Sequence, residues 1–332
     1  MACTLVIRLS ALGDVAMTIP VVYSVANRYP GDTFLLLTKR PLLPLFINRP
    51  PNLEIVPVDT GDAHRGIAGV WKLLRELDKR NIDRVADLHR VLRSAVIGAY
   101  FKRKGKPVAV IDKDKRSKRN LTRRHHKQFT PLASSFERYQ NVFEALGYDA
   151  APDFVSLFAF RDRKEETRIG IAPFAKHGAK VYPLGKMEEV VRQLSAQPST
   201  SLFLFGGKED RYPLERWAEN YGQGRVASVA GRLTFPEELA LMNSLDLMLS
   251  MDSANMHLAS LVNVPVVSVW GATHPYAGFY GYNQSPADAI QVEMDCRPCS
   301  VFGNKPCRRG DFACMESIAP ETIVEKIRAH LV

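Results

Sequence analysis

A chain of 332 residues, 46% hydrophobic and 24% charged, has ordinary globular composition and length enough for two domains of roughly 150 residues each. No uninterrupted apolar run of about 18 residues occurs, and the first eight residues lack the charged start, apolar stretch and small-residue cleavage site of a secretory leader. A membrane-spanning or exported protein is therefore not expected, and the chain should fold and stay in the cytosol.

The elements alternate from the start. Short apolar runs at 4–8, 33–37, 55–58, 84–88 and 108–111 read as strands, and amphipathic stretches at 14–29, 69–79, 91–100 and 135–146 read as the helices between them. Gly147 stands where a helix C-cap is wanted. A polar, charged connection at 161–167 precedes a second series. It runs strand 168–172, helix 186–196, strand 201–205, helix 210–221, helix 236–244, strand 247–250, helix 253–261 and strand 264–269. Two α/β domains are expected, 1–160 and 161–332, with a cleft between them where ligands gather at the carboxyl ends of strands. Neither G-x-G-x-x-G nor G-x-x-x-x-G-K-[ST] is present, so a dinucleotide oxidoreductase and a P-loop enzyme are both unsupported.

The formal charge of +10 is concentrated. Residues 102–127, with Lys102 and Lys127 at the ends, hold twelve Lys and Arg against Asp112 and Asp114, and the rest of the chain is neutral. Such a run is commonly a solvated, mobile loop. Read functionally, it is a patch for phosphorylated lipid headgroups or anionic saccharides, through a field that salt weakens. No nucleic-acid motif accompanies it, and no nucleic-acid partner is expected.

Three stretches carry chemistry. In Arg8-Leu9-Ser10-Ala11-Leu12-Gly13-Asp14, a strand gives way to a helix, Gly13 permits a tight turn, and Asp14 serves either as a helix N-cap or as a general base facing the cleft. The strand 169–172 leads through Pro173-Phe174-Ala175 to Lys180-Val181-Tyr182-Pro183, where Lys180 is either an idle surface lysine or a cation for a phosphate. In Leu247-Met248-Leu249-Ser250-Met251-Asp252-Ser253-Ala254-Asn255-Met256-His257, an apolar strand enters a helix whose free N–H groups form an anion site fit for a diphosphate. His257 follows Ser253 by one turn, so both can face one ligand; the alternative makes Asp252 a cap and His257 a core residue.

Taken in order, R-L-S-A-L-G-D, P-F-A with A-K-V-Y-P, L-F-G-G, A-G-R-L-T, M-D-S-A-N-M-H-L-A and V-W-G-A-T-H-P resemble the heptosyltransferases of glycosyltransferase family nine, over about residues 5 to 275. The resemblance implies a GT-B fold: two Rossmann-like domains with parallel sheets facing across a cleft, the acceptor held mainly by the first and a nucleotide sugar mainly by the second. It makes Asp14 the general base, with Ser10 and Gly13 on the acceptor side. Lys180 is implied to hold the donor diphosphate and Asp252 the hydroxyls of the donor sugar. Backbone amides of Ser253, Ala254 and Asn255 would cradle the phosphates with His257 close by, and Gly231, Thr234 and Met242 would lie near the nucleoside. The reaction so implied is inverting and needs no metal, with the donor as substrate and no cofactor. It joins a sugar, by default heptose from ADP-heptose, to a lipopolysaccharide core or related lipid-linked, anionic saccharide. A monomer at the inner face of the inner membrane is expected, docked through residues 102–127. Tyr182, Ala254, Ala272 and His274 depart from the usual family residues, all on the donor side.

The late cysteines, Cys296, Cys299, Cys307 and Cys314, permit a structural zinc site with four thiolates, although only the first pair has finger-like spacing. A competing reading keeps the fold without catalysis, as a basic protein bound to anionic lipid or nucleic acid. Asp14, Lys180, Asp252 and His257 together favour the enzyme.

Overall fold

The structure, a computed structural model, describes residues 1–162 and 164–331. The chain divides into two compact units. The first comprises residues 1–113 and 135–155, and the second comprises 114–134 and the chain from 156 onward.

The first unit is built on β1 (Cys3–Ile7), β2 (Thr33–Lys39), β3 (Leu53–Val58), β4 (Arg84–Asp87) and β5 (Val108–Val110), all parallel, in the order β3-β2-β1-β4-β5. Strands buried on both faces read as near-continuous apolar runs, and β1 is the example, with Leu5, Val6 and Ile7 fully buried. The helical pattern at 14–29 resolves into α1 (Leu12–Ala16) and α2 (Ile19–Arg28). The break falls where Pro20, without an amide hydrogen, fits the first turn of a new helix and not the interior of a long one. α3 (Gly66–Asp78) and α4 (Leu92–Arg103) follow β3 and β4. Both crossovers run the same way along the sheet, so the right-handed rule puts α3 and α4 on one face. There Leu73, Leu74, Leu77, Ile97 and Phe101 pack onto Leu5, Ile7, Leu35 and Val85.

The basic run is not one loop. Residues up to Lys113 finish α4 and β5 in the first unit, and α5 (Lys115–Leu121) opens a segment belonging to the second. Lys127 donates to the carbonyls of Asp295 and Arg297, Lys118 sits over the Phe279 ring, and Leu132 N donates to the Tyr276 carbonyl. Part of the run is thus a strap fastened within the second unit, while Lys115, Arg116, Arg119, Arg123 and Arg124 stay exposed. The chain then returns to the first unit through α6 (Ser135–Glu144).

The second unit carries β6 (Thr167–Ala172), α7 (Leu184–Ser195), β7 (Thr200–Leu204), α8 (Arg211–Tyr221), β8 (Val226–Ser228), α9 (Phe235–Asn243), β9 (Leu247–Met251), α10 (Ala254–Leu261), β10 (Val266–Val269), β11 (Ala289–Ile290), α11 (Ala313–Glu316) and α12 (Pro320–Leu331). Its six parallel strands lie in the order β11-β10-β9-β6-β7-β8. The core joins Ile169, Ile171, Leu247 and Leu249 of the central strands to Val190, Val191 and Leu194 of α7 and Ile323, Val324 and Ile327 of α12. No helix among the described residues is long and apolar enough to cross a membrane.

Candidate active site

Each sheet reverses its strand order once, between β1 and β4 in the first unit and between β6 and β9 in the second. Loops leave such a reversal in opposite directions and open a crevice at the carboxyl ends of the strands. The sequence-predicted charged residues stand at these two places.

In the first unit, Asp14 occupies the third position of α1, not its cap; the cap is Ala11, whose N–H donates to Asp14 Oδ2 at 3.3 Å. The same oxygen meets Arg8 Nη2 at 2.7 Å. Oδ1 has no hydrogen-bond partner among the described residues, and the side chain is about one-third exposed at 32%. Arg8 is itself nearly buried and fixed, donating through Nη1 to the Leu88 carbonyl at 2.7 Å and lying over the Tyr139 ring. One carboxylate oxygen is thus anchored while the other stays open. Gly13 lies within the first turn of α1 and is not among the positive-φ glycines, so no left-handed turn calls for it. Ser10 lies in the loop before α1.

His89, two residues beyond β4, shares this crevice, and the motif search passed it over. Its Nδ1 accepts the Leu9 N–H at 3.3 Å, which leaves the hydrogen of the neutral ring on Nε2. Burial, then Arg8 and Lys113, outweigh the opposing pull of Asp14, and with Lys39 they bring the imidazole from 6.5 to about 4. Asp87 caps the turn beneath it by accepting from the His89 and Arg90 amides, each at 2.8 Å. A histidine directly after an Asp-terminated strand was the available signal.

In the second unit, Lys180 Nζ and Asp252 Oδ2 lie 2.9 Å apart with side chains only 14% and 8% exposed. They come from the loop after β6 and the end of β9, the two strands that flank the reversal. Thr273, beyond β10, donates its hydroxyl to the same Asp252 oxygen at 2.7 Å. Ser253 caps α10 in extended conformation, and its hydroxyl meets Ser250 Oγ at 3.2 Å in place of capping the helix amides. The first N–H groups of α10, beside partly exposed Ala254 and Asn255, therefore lack a side-chain cap. His257 is buried within α10. A buried ammonium beside a helix N-terminus is an arrangement that holds an anion of two or more charges.

Gly231 lies at φ 58° against the backbone of Lys208, its N–H donating to the Gly206 carbonyl, which joins the L-F-G-G and A-G-R-L-T motifs in one corner. Thr234 caps α9, its N–H and hydroxyl donating to Glu237 Oε2. Met242 is interior. It has no exposed surface and belongs to the inner face of α9, where an apolar period places a core residue. Tyr182 is also interior, its hydroxyl donating to the Ile318 carbonyl at 2.7 Å, so this departure from the family serves the C-terminal segment.

The cysteine-rich tail supports this site. Arg297, almost fully buried, donates to the carbonyls of Trp270, Gly271, Thr273 and Val292 and fixes the loop after β10. Gly303, at φ 73°, passes so close to Lys180 that an added Cβ would stand 2.4 Å from Cγ of that lysine. Cys296, Cys299, Cys307 and Cys314 line one small cavity of about 10 Å³. Among the described residues no group of three or more His, Cys, Asp or Glu side chains could hold a metal ion. Burial raises the Cys299 thiol and brings that of Cys314 to about 11. The four-thiolate zinc expectation finds no ligand set among the described residues.

Two parallel Rossmann-like units, each with charged groups at its strand reversal, define a protein of the GT-B class. The profile of Glycosyltransferase family 9 (heptosyltransferase) matches residues 70–305, more than half of the chain. Lipopolysaccharide heptosyltransferase 1 of Pseudomonas aeruginosa is 25% identical over 320 residues, covering 89% of this chain and 85% of that one. Among solved structures, a family 9 glycosyl transferase from Veillonella parvula superposes with a TM-score of 0.77 at 18% identity, covering 99% of this chain and 97% of the other. E. coli ADP-heptose lps heptosyltransferase II gives 0.71 at 20% identity, covering 100% and 98%. The chain belongs to glycosyltransferase family 9.

Two outcomes follow from this geometry. Gly303→Ala should push Lys180 out of line with Asp252 and weaken nucleoside diphosphate binding about tenfold, with a stability loss of about 1–2 kcal/mol; titration calorimetry and thermal melts measure both. The second concerns acid. His89 stays neutral in the folded first unit down to about pH 4, as does His274, held down by burial, then Arg297 and Lys127, in the second. Both take up a proton near 6.5 when unfolded, so stability should fall as pH drops from about 6.5 toward 4. Urea midpoints for His89→Gln and His274→Gln should show a shallower decline over that window than the parent chain.

Proposed function

We propose that the chain transfers a sugar, heptose from ADP-heptose, with inversion and without a metal, to the core of lipopolysaccharide or a related lipid-linked saccharide. The observation that carries this reading is the buried Lys180–Asp252 pair beside the uncapped start of α10. Neither charge gains enough from an apolar setting to justify its burial, since desolvating two ions costs several kcal/mol each. An arriving diphosphate gives Lys180 and the α10 amides an anion, and it releases Asp252 to accept hydrogen bonds from sugar hydroxyls. The relatives support the donor: ADP-heptose is named for the E. coli enzyme of similar fold, and lipopolysaccharide for the Pseudomonas relative.

The chemistry then divides between the units. The first presents the acceptor to Asp14, whose open Oδ1 takes the proton of the attacking hydroxyl while Arg8 holds Oδ2. The acceptor oxygen bonds to the anomeric carbon as the bond from that carbon to the diphosphate oxygen breaks, so one displacement gives inversion. The second unit offsets the charge growing on the leaving diphosphate through Lys180 and the fixed dipoles of α10, electrostatic stabilisation that is already in place before reaction. A fixed ammonium supplies there the positive charge that a divalent ion supplies in other transferases. The protein works as a monomer on an acceptor carried at the inner face of the inner membrane.

The test is transfer itself. Purified chain with ADP-heptose and a core acceptor should release ADP and form an inverted linkage, readable by the anomeric proton signals, in the presence of chelator. Silence across a panel of nucleotide sugars sinks the reading. Asp14→Asn should bind ADP within about twofold of the parent and lose roughly 10³-fold in kcat, the size of a general-base contribution; near-parent turnover removes Asp14 from that role.

A further inference from the structure

The first turns of α3 and α4 expose large apolar side chains where a solvated helix should be polar. On α3, Ile67 is 80% and Trp71 53% exposed; on α4, Leu92 is 84% and Val96 40% exposed. Each pair is spaced i, i+4; Leu92 and Val96 face away from Ile97 and Phe101, which pack on the sheet, while Ile67 and Trp71 flank the packed side of α3 on the same edge as buried Leu74. Ala95 and Ala99 extend the stripe on α4. All four large side chains fall in the first two turns, and helices that follow parallel strands begin at the carboxyl end of the sheet, the end that carries Asp14 and His89.

The exposed charges around them are mainly basic, although Asp59 and Asp62 precede α3 and Arg90 is paired with Asp112. Arg65, Lys72 and Arg75 are exposed on α3, Arg90 precedes α4, and α4 contains no acidic residue. The two acids of α3 are already engaged, Glu76 with His64 and Asp78 with Lys104. Exposed tryptophan and aliphatic side chains ringed by arginine and lysine match the boundary between lipid headgroups and acyl chains, where indole rings gather and anionic phosphates attract the cations.

We infer that the first turns of α3 and α4 form a membrane-docking face, with Ile67, Trp71, Leu92 and Val96 entering the interface of an anionic phospholipid bilayer and the neighbouring arginines and lysines meeting its phosphates. The acceptor end of the first unit is thereby held at the lipid surface. This deepens the lipid-linked acceptor reading by naming where the membrane meets the chain, and it places docking on α3 and α4 in preference to residues 102–127, of which Lys104, Lys118 and Lys127 are engaged within the protein.

The tryptophans supply the assay. Trp217 and Trp270 are buried, so Trp71 is the one indole open to a quencher among the described residues. Full-length protein is mixed with phosphatidylcholine vesicles containing about a third phosphatidylglycerol, with bromine on the acyl chains of part of the lipid. The expected result is flotation with these vesicles and not with pure phosphatidylcholine, together with bromine quenching that Trp71→Phe abolishes. Ile67→Ser, Trp71→Ser, Leu92→Ser and Val96→Ser together should weaken partitioning at least about tenfold, with an unchanged far-UV spectrum and unchanged transfer to a deacylated, soluble acceptor. No flotation with anionic vesicles, flotation without Trp71 quenching, or a concentration-dependent dimer that the four changes abolish would each overturn the proposal, the last by assigning the face to a second copy. Vesicle binding needs neither donor nor acceptor, so its failure is separate from failure of the transfer reading.

Discussion

An ammonium and a carboxylate almost out of water, 2.9 Å apart, set the terms for the second unit. Removing either partner from such a pair costs about 3–5 kcal/mol, because the survivor is left charged and dry. The surrounding chain is accordingly organised to hold both ends in register. β6 and β9 are neighbours in the sheet, so the loop after one and the end of the other emerge side by side. Thr273 steadies the carboxylate from β10, and the tail lies against the lysine stem at Gly303. Three consecutive strand ends and a distant segment thus converge on one charge pair.

The first unit solves a related problem differently. Asp14 has one oxygen committed to Arg8 and to the Ala11 amide, and Arg8 is held in turn by the Leu88 carbonyl and the Tyr139 ring. Anchoring fixes the direction of the open oxygen without occupying it. A freely rotating carboxylate would spend most of its time misaligned, and alignment is a large part of what a site contributes to rate. His89, locked in one tautomer by the Leu9 amide, adds a neutral donor to the same crevice.

Much of this was legible in the sequence, and the reasons for the rest are physical. Buried parallel strands announce themselves as apolar runs, so β1, β2, β6 and β9 lay close to where the pattern put them. Pro20 was visible inside the long helical pattern at 14–29, yet the amphipathic period continued across it and masked the break. Asp14, Lys180 and Asp252 were found because each follows a strand and changes the local character from apolar to charged. Arg297 and His89 were not, because their importance comes from partners 24 to 27 residues or about 80 residues away, and no local period encodes that. Met242, expected near the nucleoside, is fully buried on α9. Charge density in the basic run likewise cannot report that Lys127 reaches the carbonyls of Asp295 and Arg297.

That strap has a genetic corollary. Residues 114–134 leave the first unit, fasten to the second, and return, so the peptide passes between the units at 113/114, 134/135 and 155/156. A chimera joining the leading half of one such enzyme to the trailing half of another at a single crossover near the middle would import a foreign strap, whose lysines and aromatic ring must find matching carbonyls and rings on a stranger. Exchange of the second unit by recombination is therefore easier with three crossovers, one at each junction, that carry 114–134 along with its own scaffold.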